Sequence, residues 1–244
     1  MSGENLVPNF NKCDYAISYN PITFGDRHFE YHSYMYTEIL FGPWDFHPKL
    51  DRNLTKRGFC SFIYTDHKKG LDGVKMREKF YRMLKKYKKI DSPGRVFHNI
   101  DLPHVNKTEE TKGIEQWRLD KHAFIKDRKF VIAFENTRAD GYTTEKLPDA
   151  LRQHTIPIYF GNPNVGKIYN KKAFIDVSDY ASLEDVVKKV IELDNDDDAY
   201  MAMLNEPPFV MDNYVPTSDL QDYLVYIIEH GKPFLKDPRG YSEH

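Results

Sequence analysis

The sequence predicts a parallel α/β sheet covered by helices on both faces. Short apolar runs rich in aromatic and β-branched residues recur, as in Gly58–Tyr64, Phe130–Phe134 and Ile156–Phe160. Stretches with apolar residues at helical spacing separate them. Strands that alternate with helices build crossover units, and those run parallel.

The elements follow in order. Residues 1 to about 55 are rich in Tyr, Phe, Asn and Pro. They give one short strand, Tyr15–Tyr19, and otherwise read as loop. No complete βαβ unit can be drawn there, so the stretch reads as the tail end of a domain. Gly58–Tyr64 is a strand. A helix is expected over 72–89, with Met76, Phe80, Met83, Leu84 and Tyr87 on its apolar face. Lys75, Lys79, Arg82, Lys86 and Lys89 fall on the other face. A second helix covers 114–128, and Phe130–Phe134 is a buried strand. Glu145–His154 is a third helix, with Leu147, Ala150, Leu151 and His154 on one side. Ile156–Phe160 and Ala173–Val177 are strands. Ser182-Leu-Glu-Asp185 opens a helix in the manner of a capping box. Helices over about 197–206 and 217–230 complete the chain.

Composition narrows the class. The 35 Lys+Arg against 37 Asp+Glu give a formal charge of −2, which argues against a dedicated nucleic-acid binder. Hydrophobic residues make up 40%, enough for a buried core. No apolar run approaches the ~20 residues of a membrane span, so no integral membrane segment is expected. MSGENLVPNF lacks the basic start and apolar middle of a signal peptide. A cytoplasmic location, or one peripheral to a membrane, is the expectation. Cys13 and Cys60 cannot make a disulfide framework or a four-ligand zinc site.

Familiar nucleotide, zinc-protease and hydrolase motifs are absent. Asp194-Asn195-Asp196 has a metal-site look, but acidic residues between two helices cap the second one. Lys68 to Lys89 carries ten Lys/Arg against two acidic residues. It reads as the solvated face of a helix, with an anionic surface as the other reading.

The informative segment is FVIAFENTRADGYTTEKLPDALRQHTIPIYFG, Phe130 to Gly161. A buried strand ends in Glu135-Asn136, a loop with Gly141 follows, and Tyr142-Thr-Thr-Glu-Lys146 opens a helix. Ligands of open α/β sheets bind beyond the carboxyl ends of strands, and helix N-termini attract phosphate. Lys146 adds positive charge, and Glu145 suits sugar or ribose hydroxyls. Pattern alone leaves two readings open, a phosphate-and-hydroxyl ligand or a capped helix with surface charges.

The segment resembles the signature of the α-1,3/1,4-fucosyltransferase family, F-E-N, a short loop, then Y-V-T-E-K. Here it reads Phe134-Glu135-Asn136 and Tyr142-Thr143-Thr144-Glu145-Lys146. Ser2-Gly3-Glu4-Asn5 with Phe10 and Asp14-Tyr15-Ala16-Ile17 is similar to the end of the family's acceptor domain. The segment Lys56 to Phe62 resembles the opening strand of its donor domain. Gly94-Arg95 resembles its phosphate-binding Arg region, and His154 to Tyr159 with Gly161 and Pro163 also fits. The likeness covers nearly the whole chain and is nearest to bacterial members that make Lewis-type antigens. Thr143 departs from the usual Val, and Pro148 sits early in the helix, tolerable only in the first turn.

The resemblance implies a Rossmann-like donor domain of a two-domain (GT-B) glycosyltransferase. Residues 1–55 would end the acceptor-side domain, 56–215 would bind GDP-fucose, and 216–244 would form a C-terminal helix and tail. Either Met1 begins a natural short form, a partner supplies the rest, or the chain is truncated. The implied activity moves L-fucose from GDP-fucose to a GlcNAc-containing oligosaccharide with inversion, most simply as an α-1,3 linkage. Glu4 matches the proposed general base, and Glu145 would bind donor hydroxyls or stabilise cationic sugar. Arg95, Glu135, Asn136, Tyr142, Thr144 and Lys146 would hold the donor. No cofactor is required and no motif demands a metal, although members of the family can be stimulated by Mn²⁺. The competing readings are a GDP-sugar-binding remnant without catalysis and an interaction module using the basic stripe.

Overall fold

The computed structural model describes residues 8–10, 12–65 and 70–233. A five-stranded sheet forms the centre. Its strands are β3 (Gly58–Ser61), β4 (Ile90–Asp91), β5 (Arg128–Phe134), β6 (Ile156–Phe160) and β7 (Ile175–Asp176). Their spatial order is β4-β3-β5-β6-β7, and every pairing is parallel. The chain therefore runs outward from β3 in one direction, then crosses back to build β5, β6 and β7. That reversal places a topological switch point between β3 and β5, where open sheets of this order bind ligands.

Helices cover both faces, because successive residues of a strand point to opposite sides. Phe130, Ile132 and Phe134 of β5 join one core with Phe80 and Leu84 of α2 (Asp72–Leu84). Val186, Val190 and Leu193 of α5 (Leu183–Asn195) and Tyr200 of α6 (Asp197–Leu204) complete that face. Val131 and Ala133 point the other way. They meet Ile125 of α3 (Gln116–Ile125) and Leu147 and Ala150 of α4 (Lys146–Arg152). Pro148 is the third residue of α4, within the first turn, where a proline is tolerated.

The first 55 residues hold more structure than their sequence signals. β1 (Ala16–Ser18) pairs in parallel with β2 (His28–Glu30), and α1 (Ser33–Phe41) follows. The stretch read as loop after Tyr19 is thus corrected to a strand and a helix. Among the described residues of that stretch no βαβ unit is present, since no helix joins the two strands. α1 buries Tyr34, Met35 and Thr37 and belongs to the core cluster of Leu147, Tyr159, Phe174 and Phe209. The Tyr34 hydroxyl donates to the Val215 carbonyl at 3.0 Å and accepts from the Val215 N–H at 3.1 Å. Val215 leads into α7 (Thr217–His230), whose Leu220 joins the same core cluster as Tyr34 and Met35 of α1.

The helix expected over 72–89 ends at Leu84 instead. Tyr87 turns away to meet Phe59 edge-on, and its hydroxyl donates to Asp194 at 2.9 Å. Lys88 pairs with Asp194, and Lys89 with Asp91 at 3.1 Å. Those carboxylates lie outside the helix, and the lysines follow them. β4 begins immediately afterwards, a two-residue edge strand with no signal of its own. Asp196 caps α6 by accepting from the amides of Asp198 and Ala199, the structural role expected for that acidic run. No helix among the described residues is long and apolar enough to cross a membrane.

Candidate active site

The switch point between β3 and β5 opens into a cavity of about 430 Å³. Tyr64 and Thr65 reach it beyond β3, Asn136 beyond β5, Arg77 from α2, Trp117 and Lys121 from α3, and Glu145 and Lys146 from the start of α4. Each element delivers its residue for a traceable reason. α2 starts against the end of β5, where the Gly73 N–H donates to the Asn136 carbonyl at 3.1 Å. A Cβ on Gly73 would stand 2.0 Å from the Glu135 carbonyl oxygen, so only glycine permits that approach. One turn later Arg77 is 1% exposed. Its guanidinium lies 4.0 Å from the Tyr64 ring centroid and donates to Asn136 Oδ1 at 2.6 Å. The Tyr64 hydroxyl sits between the Ile132 and Phe134 carbonyls and accepts from the Phe134 N–H at 2.8 Å.

Glu135 is the buried centre of the signature segment. Its backbone continues the ladder with β6, donating to the Phe160 carbonyl at 2.7 Å. Its side chain is 0% exposed. Oε1 accepts from the Thr144 amide at 2.7 Å, and the Thr144 hydroxyl lies 2.9 and 2.8 Å from the two carboxylate oxygens. Lys146 Nζ donates to Oε2 at 3.0 Å and to Thr144 Oγ1 at 2.7 Å. Glu135 and Thr144 were expected to touch a donor. Both are engaged with each other and with Lys146, and neither lines the cavity. Glu135 also occupies an amide that the sequence reading left open for phosphate. Burial alone would lower the Lys146 pKa, but Glu135 and Glu145 override it and hold the amine charged.

Glu145 lines the cavity with its side chain 35% exposed, 3.8 Å from Lys146. Burial favours its neutral form, yet Lys146 and Lys121 hold the carboxyl below the usual carboxylate range. An ionised carboxylate with a lowered pKa is a weak proton acceptor and a strong partner for hydroxyls or positive charge. Lys121 is fixed by a buried pair with Asp149 at 2.7 Å. Asp149 also meets His122 Nε2 at 3.3 Å and accepts from the Thr37 hydroxyl at 3.3 Å. Desolvation opposes the Asp149 charge, but Lys121 and His122 hold its pKa far below the ordinary value.

The remaining expected residues scatter around this centre. Pro93 and Gly94 line the cavity, and Arg95 beside them is exposed. Tyr142 packs edge-on against Tyr19, 5.7 Å between centroids. Glu4, with Ser2, Gly3 and Asn5, lies outside the described residues. The sequence reading did not single out Arg77, Lys121, Trp117 or Tyr64. Arg77 did leave a signal. It falls at i+3 from Val74 and i−4 from Tyr81, inside the buried stripe of α2, where a cation without a purpose is costly. The face assigned to Met76 and Met83 was rotated from the true one. No group of three or more His, Cys, Asp or Glu side chains suited to a metal occurs among the described residues.

The geometry agrees with what other proteins resemble. The family model described as glycosyltransferase family 10 (fucosyltransferase) C-term matches residues 63–205. The chain belongs to that family. A second model, for the N-terminal domain of α-(1,3)-fucosyltransferase FucT, matches residues 1–37. Among curated relatives, the α-(1,3)-fucosyltransferase FucT of Helicobacter pylori is 29% identical over 239 residues, covering 85% of this chain and 46% of that protein. A putative fucosyltransferase of Acanthamoeba polyphaga mimivirus is 28% identical, covering 64% of this chain and 24% of its own length. The chain thus spans less than half the length of these curated relatives. The crystal structure of an α1,3-fucosyltransferase with GDP-fucose superposes with a TM-score of 0.70 at 25% identity, covering 97% of this chain and 76% of that one. The architecture is accordingly α/β with a parallel, Rossmann-like sheet, of the GT-B type.

Proposed function

We propose that this chain carries the donor site of an enzyme that transfers L-fucose from GDP-fucose to a GlcNAc-containing glycan, with inversion and an α-1,3 linkage. Residues 56–215 form the donor-binding unit in this reading, and residues 1–55 end the acceptor-side domain. The observation that carries it is convergence. Arg77, Lys121 and Lys146 arrive from three helices at one cavity at the switch point, with Glu145 among them. Three fixed cations suit a diphosphate, and a lone ionised carboxylate suits the hydroxyls of the sugar it carries. The identity of the base and the linkage rest on the likeness to the fucosyltransferases named above.

Inversion requires one direct displacement through an oxocarbenium-like state. The departing diphosphate gains charge as the sugar leaves, and Lys146, Lys121 and Arg77 stabilise that charge. Their bracing by Glu135, Asp149 and Asn136 means that little reorganises during the step. Glu145 faces the developing positive charge on the sugar. The acceptor hydroxyl needs a base, for which Glu4 is the candidate and Glu145, with its lowered pKa, the weaker one. Donor specificity is tested by calorimetric titration with GDP-fucose, GDP-mannose and UDP-galactose. Preference for GDP-fucose together with acceptor-dependent GDP release supports transfer. Tighter binding of UDP-galactose, or GDP release indifferent to acceptor, would sink the assignment.

A further inference from the structure

A second cavity, of about 470 Å³, lies where β2 and the start of α1 meet the loops after β5 and β6 and the segment before α7. The Gly141–Lys146 segment divides the two cavities. Gly141 and Thr143 line this one, while Glu145 and Lys146 line the donor cavity. The division is fixed in place, since the Ser33 hydroxyl donates to the Thr144 carbonyl at 3.1 Å. A Cβ on Gly141 would stand 2.2 Å from the Tyr19 carbonyl oxygen, and its φ of 71° suits glycine.

The lining is unlike that of the donor cavity. Glu30 is half-buried and makes no hydrogen bond or ion pair with another described residue. Burial, and then the nearby Asp140, push its carboxyl above the usual range, with Lys167 partly offsetting them. Asp140 accepts from the Asn164 amide at 2.8 Å. The rings of Tyr169 and Tyr214 form apolar walls, with their hydroxyls already engaged by Ser33 and Glu38. Carboxylates that only accept hydrogen bonds, beside flat apolar rings, suit a ligand with many hydroxyls and apolar C–H faces. With Asp212, these carboxylates outnumber Lys167 three to one in the lining and repel an anion.

We propose that this cavity holds one neutral sugar residue of the acceptor, and that Glu30 and Asp140 make it exclude acceptors carrying a carboxylate there. The proposal rests on the transferase reading above and adds the charge class of the acceptor and the residues that select it. Its test is calorimetric titration of N-acetyllactosamine, and of its 3′-sialylated form, into the GDP-saturated chain. The neutral saccharide should bind about tenfold or more tightly than the acidic one. Glu30→Gln and Asp140→Asn are near-isosteric, and each should narrow that gap severalfold while leaving GDP affinity unchanged. Unchanged GDP affinity also shows that the variants are folded. Equal affinity for the two saccharides, binding of neither, or a gap untouched by both variants would overturn the proposal. Failure of the wild-type chain to bind GDP would instead overturn the transferase reading on which it rests.

Discussion

The two cavities on either side of the Gly141–Lys146 segment handle charge in opposite ways. In the donor cavity every charged side chain is braced: Lys146 by Glu135, Lys121 by Asp149, Arg77 by Asn136, and Glu145 by Lys146. In the other, Glu30 stands without such a brace, and the fold pushes it toward its neutral form. Bracing buried charges costs desolvation. It leaves them fixed before a ligand arrives, which is what stabilising a charged leaving group demands. An unbraced carboxylate gives up some stability and keeps its oxygens available. In the proposed reading the difference teaches where to look for each role: preorganised pairs would hold the charged donor, and an unbraced carboxylate would sort the incoming partner.

The strongest way to break this comparison is to remove a brace. Asp149→Ala leaves Lys121 buried without its carboxylate, and its loss should cost about 3–5 kcal/mol of stability. Urea denaturation measures it. The pH dependence has a definite sign. The Asp149 carboxyl is held well below its ordinary 3.8, so its contribution is complete above that value. It fades as pH falls toward the lower folded value. The gap between wild type and Asp149→Asn should therefore shrink progressively below about pH 4. A pH-independent gap would mean that Asp149 acts through packing alone.

These braces also show what the sequence could and could not reveal. The centre of the sheet was legible because Phe130–Phe134 and Ile156–Phe160 are continuous apolar runs, buried on both faces. The signature residues Glu135 to Lys146 were legible as a group. Their division of labour was not, because a carboxylate that binds a ligand and one that props up a lysine look alike in sequence. α1 was hidden for another reason. It is rich in bulky apolar residues, Ile39 among them 56% exposed, and its N-cap His32 makes no capping bond. It therefore lacks both an amphipathic period and a start signal. β2 and β4 span three and two residues, too few to show any alternation.

A second prediction sharpens the donor side. In the proposed donor site Lys146 meets phosphate, so Lys146→Ala should weaken GDP binding by about 1.5–3 kcal/mol, the worth of a charge-assisted hydrogen bond. The loss should be smaller for guanosine, which has no phosphates. Arg95→Ala should cost less than Lys146→Ala, because Arg95 is exposed beside the cavity wall rather than part of it. Calorimetry with both ligands checks this. Equal losses for GDP and guanosine would remove Lys146 from the phosphate site.

The smallest expected effect tests the other half of the comparison. A carboxyl whose folded pKa is raised is favoured in its neutral form, so its charge at neutral pH works against folding. Glu30→Gln should therefore stabilise the chain at pH 7. The gain should stay under about 0.5 kcal/mol, because Glu30 is only half-buried and water screens much of the penalty. The sign also fixes the pH window. Below the ordinary value of 4.5 the wild-type carboxyl is protonated in both folded and unfolded states, so the gain should vanish there. It should grow as pH rises through the raised folded value. Urea midpoints at pH 4 and pH 7 for the two proteins suffice. If Glu30→Gln destabilises the chain at pH 7, Glu30 has a partner within the fold, and the contrast between the braced and the unbraced cavity fails.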